Sequence, residues 1–260
     1  MNKWIRLCRK GLWILGQPLT KKPKKSGDPV SELFVWRNSP DWNTYFELID
    51  IASLFEEKLP PRLAIFVFFN ADGTKFHEEE IELSALKRIT FDLSLYVSKS
   101  KDSIGTFCVF HETPDIVKQL GAFITDRGYV SYRYKKSLIR CFVHGNFDAT
   151  SYSPDGTLKM LGVTSLLRRE YRLQYEFRFE NYEIVLVNST SSEQIVSLNI
   201  VHVSDIQSAS TFTVKLKPRE VNVFPIKNVN GKRAIITSRI VMARPYVFCY
   251  RNHQMTVFHG

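Results

Sequence analysis

The chain has 260 residues, of which 44% are hydrophobic and 13% aromatic, with a formal net charge of +10. That apolar share is enough for a packed core and excludes a disordered or fibrous protein. No run approaches the ~18 apolar residues of a membrane-spanning helix. The four cysteines, Cys8, Cys108, Cys141 and Cys249, include no CxxC pair, so neither a disulfide framework nor a cysteine-based zinc site is expected.

The charge is concentrated at one end. Lys3, Arg6, Arg9, Lys10, Lys21, Lys22, Lys24 and Lys25 all precede the first acid, Asp28, and leave residues 26–260 with only +2. A nucleic-acid-binding domain carries its bases on the folded surface, so nucleic acid is not expected as a partner. On a helical wheel, Trp4, Ile5, Leu7, Cys8, Leu12, Ile14 and Leu15 share one half and Lys3, Arg6, Arg9 and Lys10 the other. Trp13 falls among the charges. Residues 1–29 therefore predict a short basic amphipathic helix followed by a Pro/Lys linker. We expect Lys3, Trp4, Arg6, Arg9, Lys10, Leu12 and Trp13 to bind an anionic membrane surface. The alternative is a helix packed on the protein's own sheet. Leu12–Leu15 is too short for a secretory signal core, which favours a cytoplasmic location, peripheral to the inner face of the membrane.

Beyond residue 30 short runs of Val, Ile, Phe, Tyr and Thr alternate with turn residues, the pattern of an all-β protein. Ala64–Phe69 ends at Asn70-Ala71-Asp72-Gly73, a turn signal. Strands follow at Ile81–Leu83, Arg88–Leu93, Gly105–Phe110, Gly128–Tyr134 and Leu138–Val143. Brief helices are expected near Ile116–Leu120 and Leu161–Arg169.

The chain also repeats itself. Arg127-Gly128-Tyr129-Val130, closing at Phe142-Val143-His144-Gly145, recurs as Arg244-Pro245-Tyr246-Val247, closing at Val257-Phe258-His259-Gly260. Ile65–Asn70 matches Glu183–Asn188. Ile81–Leu83 with Phe91–Leu93 matches Val214–Leu216 with Phe224–Ile226. Four matches in one order predict two tandem homologous antiparallel β-sandwich repeats, of jelly-roll or Ig-like type, over residues 30–150 and 151–260. The nearly continuous Phe66, Phe68 and Phe69 suggest a strand covered on both faces, as contact between two repeats would require. A single larger sandwich is the alternative.

An apolar strand with an Asp-Gly turn (Phe66–Gly73), then Ile81–Leu93 and Gly105–Phe110, resembles sensory-rhodopsin-transducer-like β-sandwich proteins. These residues cover under a fifth of the chain. The resemblance implies a ligand- or partner-binding sandwich rather than an enzyme.

Catalytic signatures are missing: there is no GxSxG, Walker loop, GxGxxG or HExxH. His77-Glu78-Glu79-Glu80 lacks a second histidine at helical spacing and is expected to be a charged surface strand. His111, His144 and Asp148 form a weak two-histidine, one-carboxylate set, and no metal or other cofactor is expected. Cys108, Cys141 and Cys249 lie in apolar strands and are expected to fill core space.

The remaining candidates are the repeated ones: Arg127, Tyr129, His144, Arg244, Tyr246 and His259. An Arg fork and an imidazole beside a tyrosine can hold a carboxylate, sulfate, phosphate or acidic sugar. Tyr129, Tyr132, Tyr134, Tyr246 and Tyr250 can offer faces to a sugar ring. The competing expectation is that these residues tie strand ends to backbone carbonyls, as a tyrosine corner does. The function expected is non-catalytic recognition of a carbohydrate or anionic small molecule at a membrane surface. A glycan- or lipid-linked-sugar-active enzyme with a cleft between sheets is one alternative, and a self-assembling structural subunit, a homo-oligomer, is the other.

Overall fold

The computed structural model describes residues 21, 23, 28–50, 62–83, 88–111, 119, 128–135, 137–173, 177–178, 181–202, 208–241, 244–251 and 254–259. These residues are almost wholly strand. In chain order they form β1 (Val30–Arg37), β2 (Trp42–Ile49), β3 (Arg62–Phe69), β4 (Lys75–Leu83), β5 (Arg88–Asp92), the one-turn helix α1 (Ser94–Val97), β6 (Ile104–His111), β7 (Gly128–Tyr134), β8 (Cys141–Val143), β9 (Asn146–Tyr152) and β10 (Leu158–Met160). There follow β11 (Thr164–Arg172), β12 (Asn181–Val187), β13 (Gln194–His202), β14 (Ser208–Leu216), β15 (Val221–Lys227), β16 (Lys232–Ile240), β17 (Tyr246–Arg251) and β18 (Gln254–His259).

The strands make four antiparallel sheets. Sheet A has the order β10-β9-β1-β6-β3-β4, sheet B β5-β2-β7-β8, sheet C β15-β12-β17-β18 and sheet D β11-β16-β13-β14. Raising each strand number by ten converts β4-β3-β6-β1 into β14-β13-β16-β11 and β5-β2-β7-β8 into β15-β12-β17-β18. The hairpin β9–β10 extends sheet A beyond β1 and has no counterpart in that scheme. The expected boundary between residues 150 and 151 falls inside β9.

Alternation explains the layers, because successive strand residues point to opposite faces. Sheets A and B meet through aromatic rings. Phe46 of β2 sits edge-on to Phe34 of β1 at 4.9 Å, to Phe107 of β6 at 5.5 Å and to Phe66 of β3 at 5.8 Å. Sheets C and D enclose an aliphatic core that includes Ile184, Leu186, Leu198, Ile236 and Val247. Sheet C is apolar on its other face as well. Val185, Val187, Val221, Tyr246, Phe248 and Val257 join the core of the first two sheets. A strand covered on both sides has no polar alternate positions, which accounts for the unbroken Ile184-Val185-Leu186-Val187.

The turn at Lys217–Glu220 locks the two halves at one edge. Val221 N–H donates to the Ala71 carbonyl at 3.0 Å, and Thr106 Oγ1 reaches the Arg219 carbonyl at 3.4 Å. Gly73, at φ +81°, lies so close to the Pro218 carbonyl that a Cβ would overlap it, so this approach needs glycine.

Several expectations change. Residues Thr164–Arg172 form the edge strand β11, where a helix was expected over Leu161–Arg169. Leu166 and Leu167 are 83% and 76% exposed, so neither belongs to a buried helical stripe. Ile65–Asn70 and Glu183–Asn188 do not occupy corresponding places. The first is β3, between β4 and β6, and the second is β12, between β15 and β17. The other matches fall on β7/β17, β8/β18, β4/β14 and β5/β15, which hold corresponding positions in their sheets. Of the strand expected at Leu138–Val143, only Cys141–Val143 forms one. His77–Glu80 lies on β4, an edge of sheet A, where charge discourages pairing with another chain. The N-terminal helix, with Lys3, Trp4, Arg6, Arg9, Lys10, Leu12 and Trp13, and most of Ile116–Leu120 lie outside the described residues.

Candidate functional site

The junction between the two halves is aromatic, and it is organised by Arg37 at the end of β1. Its guanidinium lies 4.0 Å from the centroid of Trp42 and 5.0 Å from that of Phe248. Stacked cations of this kind gain about 1–2 kcal/mol when desolvated. Arg37 Nη1 donates to Glu183 Oε2 at 2.5 Å, and Tyr250 OH donates to the same oxygen at 2.6 Å. Burial pushes the Tyr250 phenol well above its ordinary value, so it stays a donor. One residue from each of β1, β12 and β17 thus forms a charge-assisted triad across the junction.

Beside this triad opens a cleft of about 500 Å³. Trp42, Tyr134 and Tyr250 supply its rings, and Asp41, Glu183, Lys135, Lys227 and Arg251 its charges. Ser39, Asn181 and Gln254 add neutral polar groups. Trp42 packs at 4.9 Å from Tyr134 and 6.4 Å from Tyr250, and the two tyrosines are 5.4 Å apart. Rings in mutual contact have few rotamers left, so the wall is set before any ligand arrives. Local turns place the rim. Lys135 takes a left-handed conformation, φ 54°, and its N–H donates to the Asp41 carbonyl at 2.6 Å. Chemically the cleft offers ring faces, hydrogen-bonding groups and a small excess of cations. Its two carboxylates are not an equivalent pair, because Glu183 Oε2 already accepts both Arg37 and Tyr250.

The repeated residues occupy a different place. Tyr129 and His144, the latter just past the end of β8, are in tilted contact at 4.3 Å and 48°, and Tyr246 and His259 at 4.6 Å and 50° across β17–β18. The pairs meet each other, since His259 Nε2 lies 2.7 Å from the His144 carbonyl and is its donor. His259 Nδ1 lies 3.3 Å from the Pro245 carbonyl. Burial, aided by the charges of Arg244 and His144 and opposed by these carbonyls, pulls the His259 pKa down to about 4. Tyr246 is fully buried, and its hydroxyl donates to the Leu33 carbonyl at 3.3 Å. Tyr129 is 37% exposed and His144 is exposed. Arg244 is partly buried just before β17, and Arg127 lies outside the described residues. Tyr246 and His259 therefore have structural partners, while Tyr129 and His144 remain open to solvent.

Of the five tyrosines considered for stacking, Tyr134 and Tyr250 line the cleft, whereas Tyr132 is buried with its hydroxyl on the Val35 carbonyl at 2.7 Å. Sequence reasoning missed Arg37, Trp42 and Glu183. The one local signal was Trp36-Arg37-Asn38-Ser39-Pro40-Asp41-Trp42, an aromatic and a cation flanking a turn. His111 is buried on β6 opposite Ala64. Among the described residues no group of three His, Cys, Asp or Glu side chains is placed to hold a metal. Burial pushes the Cys108 thiol up to about 12, which leaves no thiolate nucleophile there. No helix among the described residues is long and apolar enough to cross a membrane.

No family model and no curated protein matches the chain. Among solved structures, one similar chain is a calcium-binding mutant of Bacteroides uniformis beta-glucuronidase 2. The identity is 10%, the TM-score 0.20, and the alignment covers 94% of this chain but only 28% of that one. Similarity at that level carries no argument about this protein.

Proposed function

We propose that the protein is a non-catalytic carbohydrate-binding module built from two tandem β-sandwiches of common origin, with its ligand in the junction cleft. The observation that carries this reading is the wall of Trp42, Tyr134 and Tyr250 facing hydroxyl, amide and charged side chains within one concave site. A sugar presents the matching surface, with an apolar ring face for an aromatic and a rim of hydroxyls for polar groups. Lys135, Lys227 and Arg251 favour an acidic sugar over a neutral one. Binding is favoured over hydrolysis because Glu183 is held by Arg37 and Tyr250 instead of standing ready to transfer a proton. The shared strand order of the two sheet pairs supports the duplication.

Residues 1–25, with +8 of the charge, hold the module at an anionic membrane surface on the cytoplasmic side. The test of the cleft is a glycan-array screen of the wild type and Tyr134→Ala. We expect binding to acidic glycans that the variant loses; equal binding by both proteins excludes the cleft. Deleting residues 1–25 is expected to abolish sedimentation with anionic liposomes, and undiminished sedimentation refutes the tether.

A further inference from the structure

A second cavity, of about 570 Å³, lies away from the junction cleft and has different chemistry. It is lined by Lys21, Thr157, Leu158, Lys159, Met160, Ser191, Pro218 and Arg219. Its three charged residues are all cations, and no Asp or Glu is among those lining it. The three cations come from three separate stretches of chain. Lys21 is anchored by its N–H to the Leu161 carbonyl at 2.7 Å, with Nζ 3.2 Å from Ser191 Oγ. Lys159 lies on β10, and Arg219 lies in the turn that joins the two halves.

Arg219 is the unusual member. Lys217–Glu220 closes with Glu220 N–H on the Lys217 carbonyl at 3.1 Å, with Pro218 second and Arg219 third at φ 65°. That is a type II turn, whose third position favours Gly because a side chain at positive φ is strained. Here it holds an Arg instead, with its guanidinium 5.0 Å from the Phe69 centroid. Its Nε is buried and has no hydrogen-bond partner among the described residues. Backbone strain at a non-glycine residue is a reason to look for a role for its side chain.

We propose that Lys21, Lys159 and Arg219 form a binding site for a phosphate dianion. Three cations exceed what a carboxylate neutralises, whereas a phosphate group brings about two charges and several strong acceptors. Thr157 and Ser191 add hydroxyl groups to the lining. Arg219 supplies the planar fork, and the lysines act as point charges. The phosphate comes either from a free ion or from a lipid headgroup, since Lys21 lies within the basic segment.

The test uses the full chain and its Lys159→Gln and Arg219→Gly variants. Calorimetric titrations use inorganic phosphate, and a flotation assay uses vesicles with phosphatidic acid or, at equal charge, phosphatidylserine. Arg219→Gly suits the turn, so its melting temperature reports whether folding is intact. We expect inorganic phosphate to bind the wild type and each variant to weaken it about tenfold. Loss confined to phosphatidic acid vesicles, with no effect of free phosphate, assigns the site to a headgroup. Absence of both kinds of binding, or equal binding by folded variants, overturns the proposal. Tyr134→Ala is expected to leave phosphate binding unchanged, which separates this site from the sugar cleft.

Discussion

β7 and β17 hold corresponding places in sheets B and C, yet one alternate set reads Tyr129, Ser131, Arg133 and the other Tyr246, Phe248, Tyr250. The first set is small or polar after its tyrosine. The second is three aromatic rings, and Phe248 meets Trp42 at 5.4 Å and Tyr132 at 5.1 Å. The tilted Tyr–His pair at the strand start is common to both, but only the second is buried and donates across to the other half. The same strand therefore carries small and polar groups in one half and an aromatic interface in the other. Residue volume and polarity at alternate positions decide which, and the junction cleft exists because β17 took the aromatic option.

The largest test of that contrast is Phe248→Ala, expected to lower stability by about 3–5 kcal/mol in chemical denaturation, the usual cost of emptying a buried Phe site. Ser131→Ala, at the corresponding position, is expected to change it by less than about 0.5 kcal/mol, since its buried hydroxyl has no hydrogen-bond partner among the described residues. Near-equal effects would mean that β17 carries no special junction energy.

Acid tests the buried member of the two Tyr–His pairs. His259 has a folded pKa of about 4 against an ordinary 6.5. Between those values the unfolded chain binds the proton more readily, so this contribution is complete above pH 6.5 and is lost as pH falls towards 4. The loss amounts to about 3 kcal/mol. His259→Gln is expected to flatten that part of the stability–pH curve. A smaller effect, about 1–2 kcal/mol, is expected for Arg37→Lys, which keeps a cation but loses the planar stack on Trp42 and Phe248. Tyr129→Ala is expected to cost no more than about 1 kcal/mol by thermal melting, because the ring is partly in water.

The all-β architecture was legible because Gly, Pro and Asn-Asp turns punctuate runs of β-branched and aromatic residues. The β7–β8 and β17–β18 correspondence was legible because Tyr and His recur at the two ends of each hairpin. The match of Ile65–Asn70 to Glu183–Asn188 misled for a physical reason. Both are strands flanked by neighbours on each side, and inner strands converge on apolar runs whatever their position. β11 read as a helix because Leu161, Leu166 and Leu167, with Arg168 and Arg169 after them, fit a short 3.6-residue period. The cleft was not legible at all. Tyr134 and Tyr250 were candidates, but Trp42 and Glu183 come from remote strands that only the docking of sheet C brings together.

The most direct test of the cleft is saturation-transfer-difference NMR with uronic acids and their neutral parent sugars, comparing the wild type with Tyr250→Phe and Tyr134→Ala. The account predicts transfer to the sugar ring protons in the wild type, stronger for the acidic sugars, retained by Tyr250→Phe and abolished by Tyr134→Ala. Transfer of equal strength in Tyr134→Ala, or none to any sugar in the wild type, would contradict it.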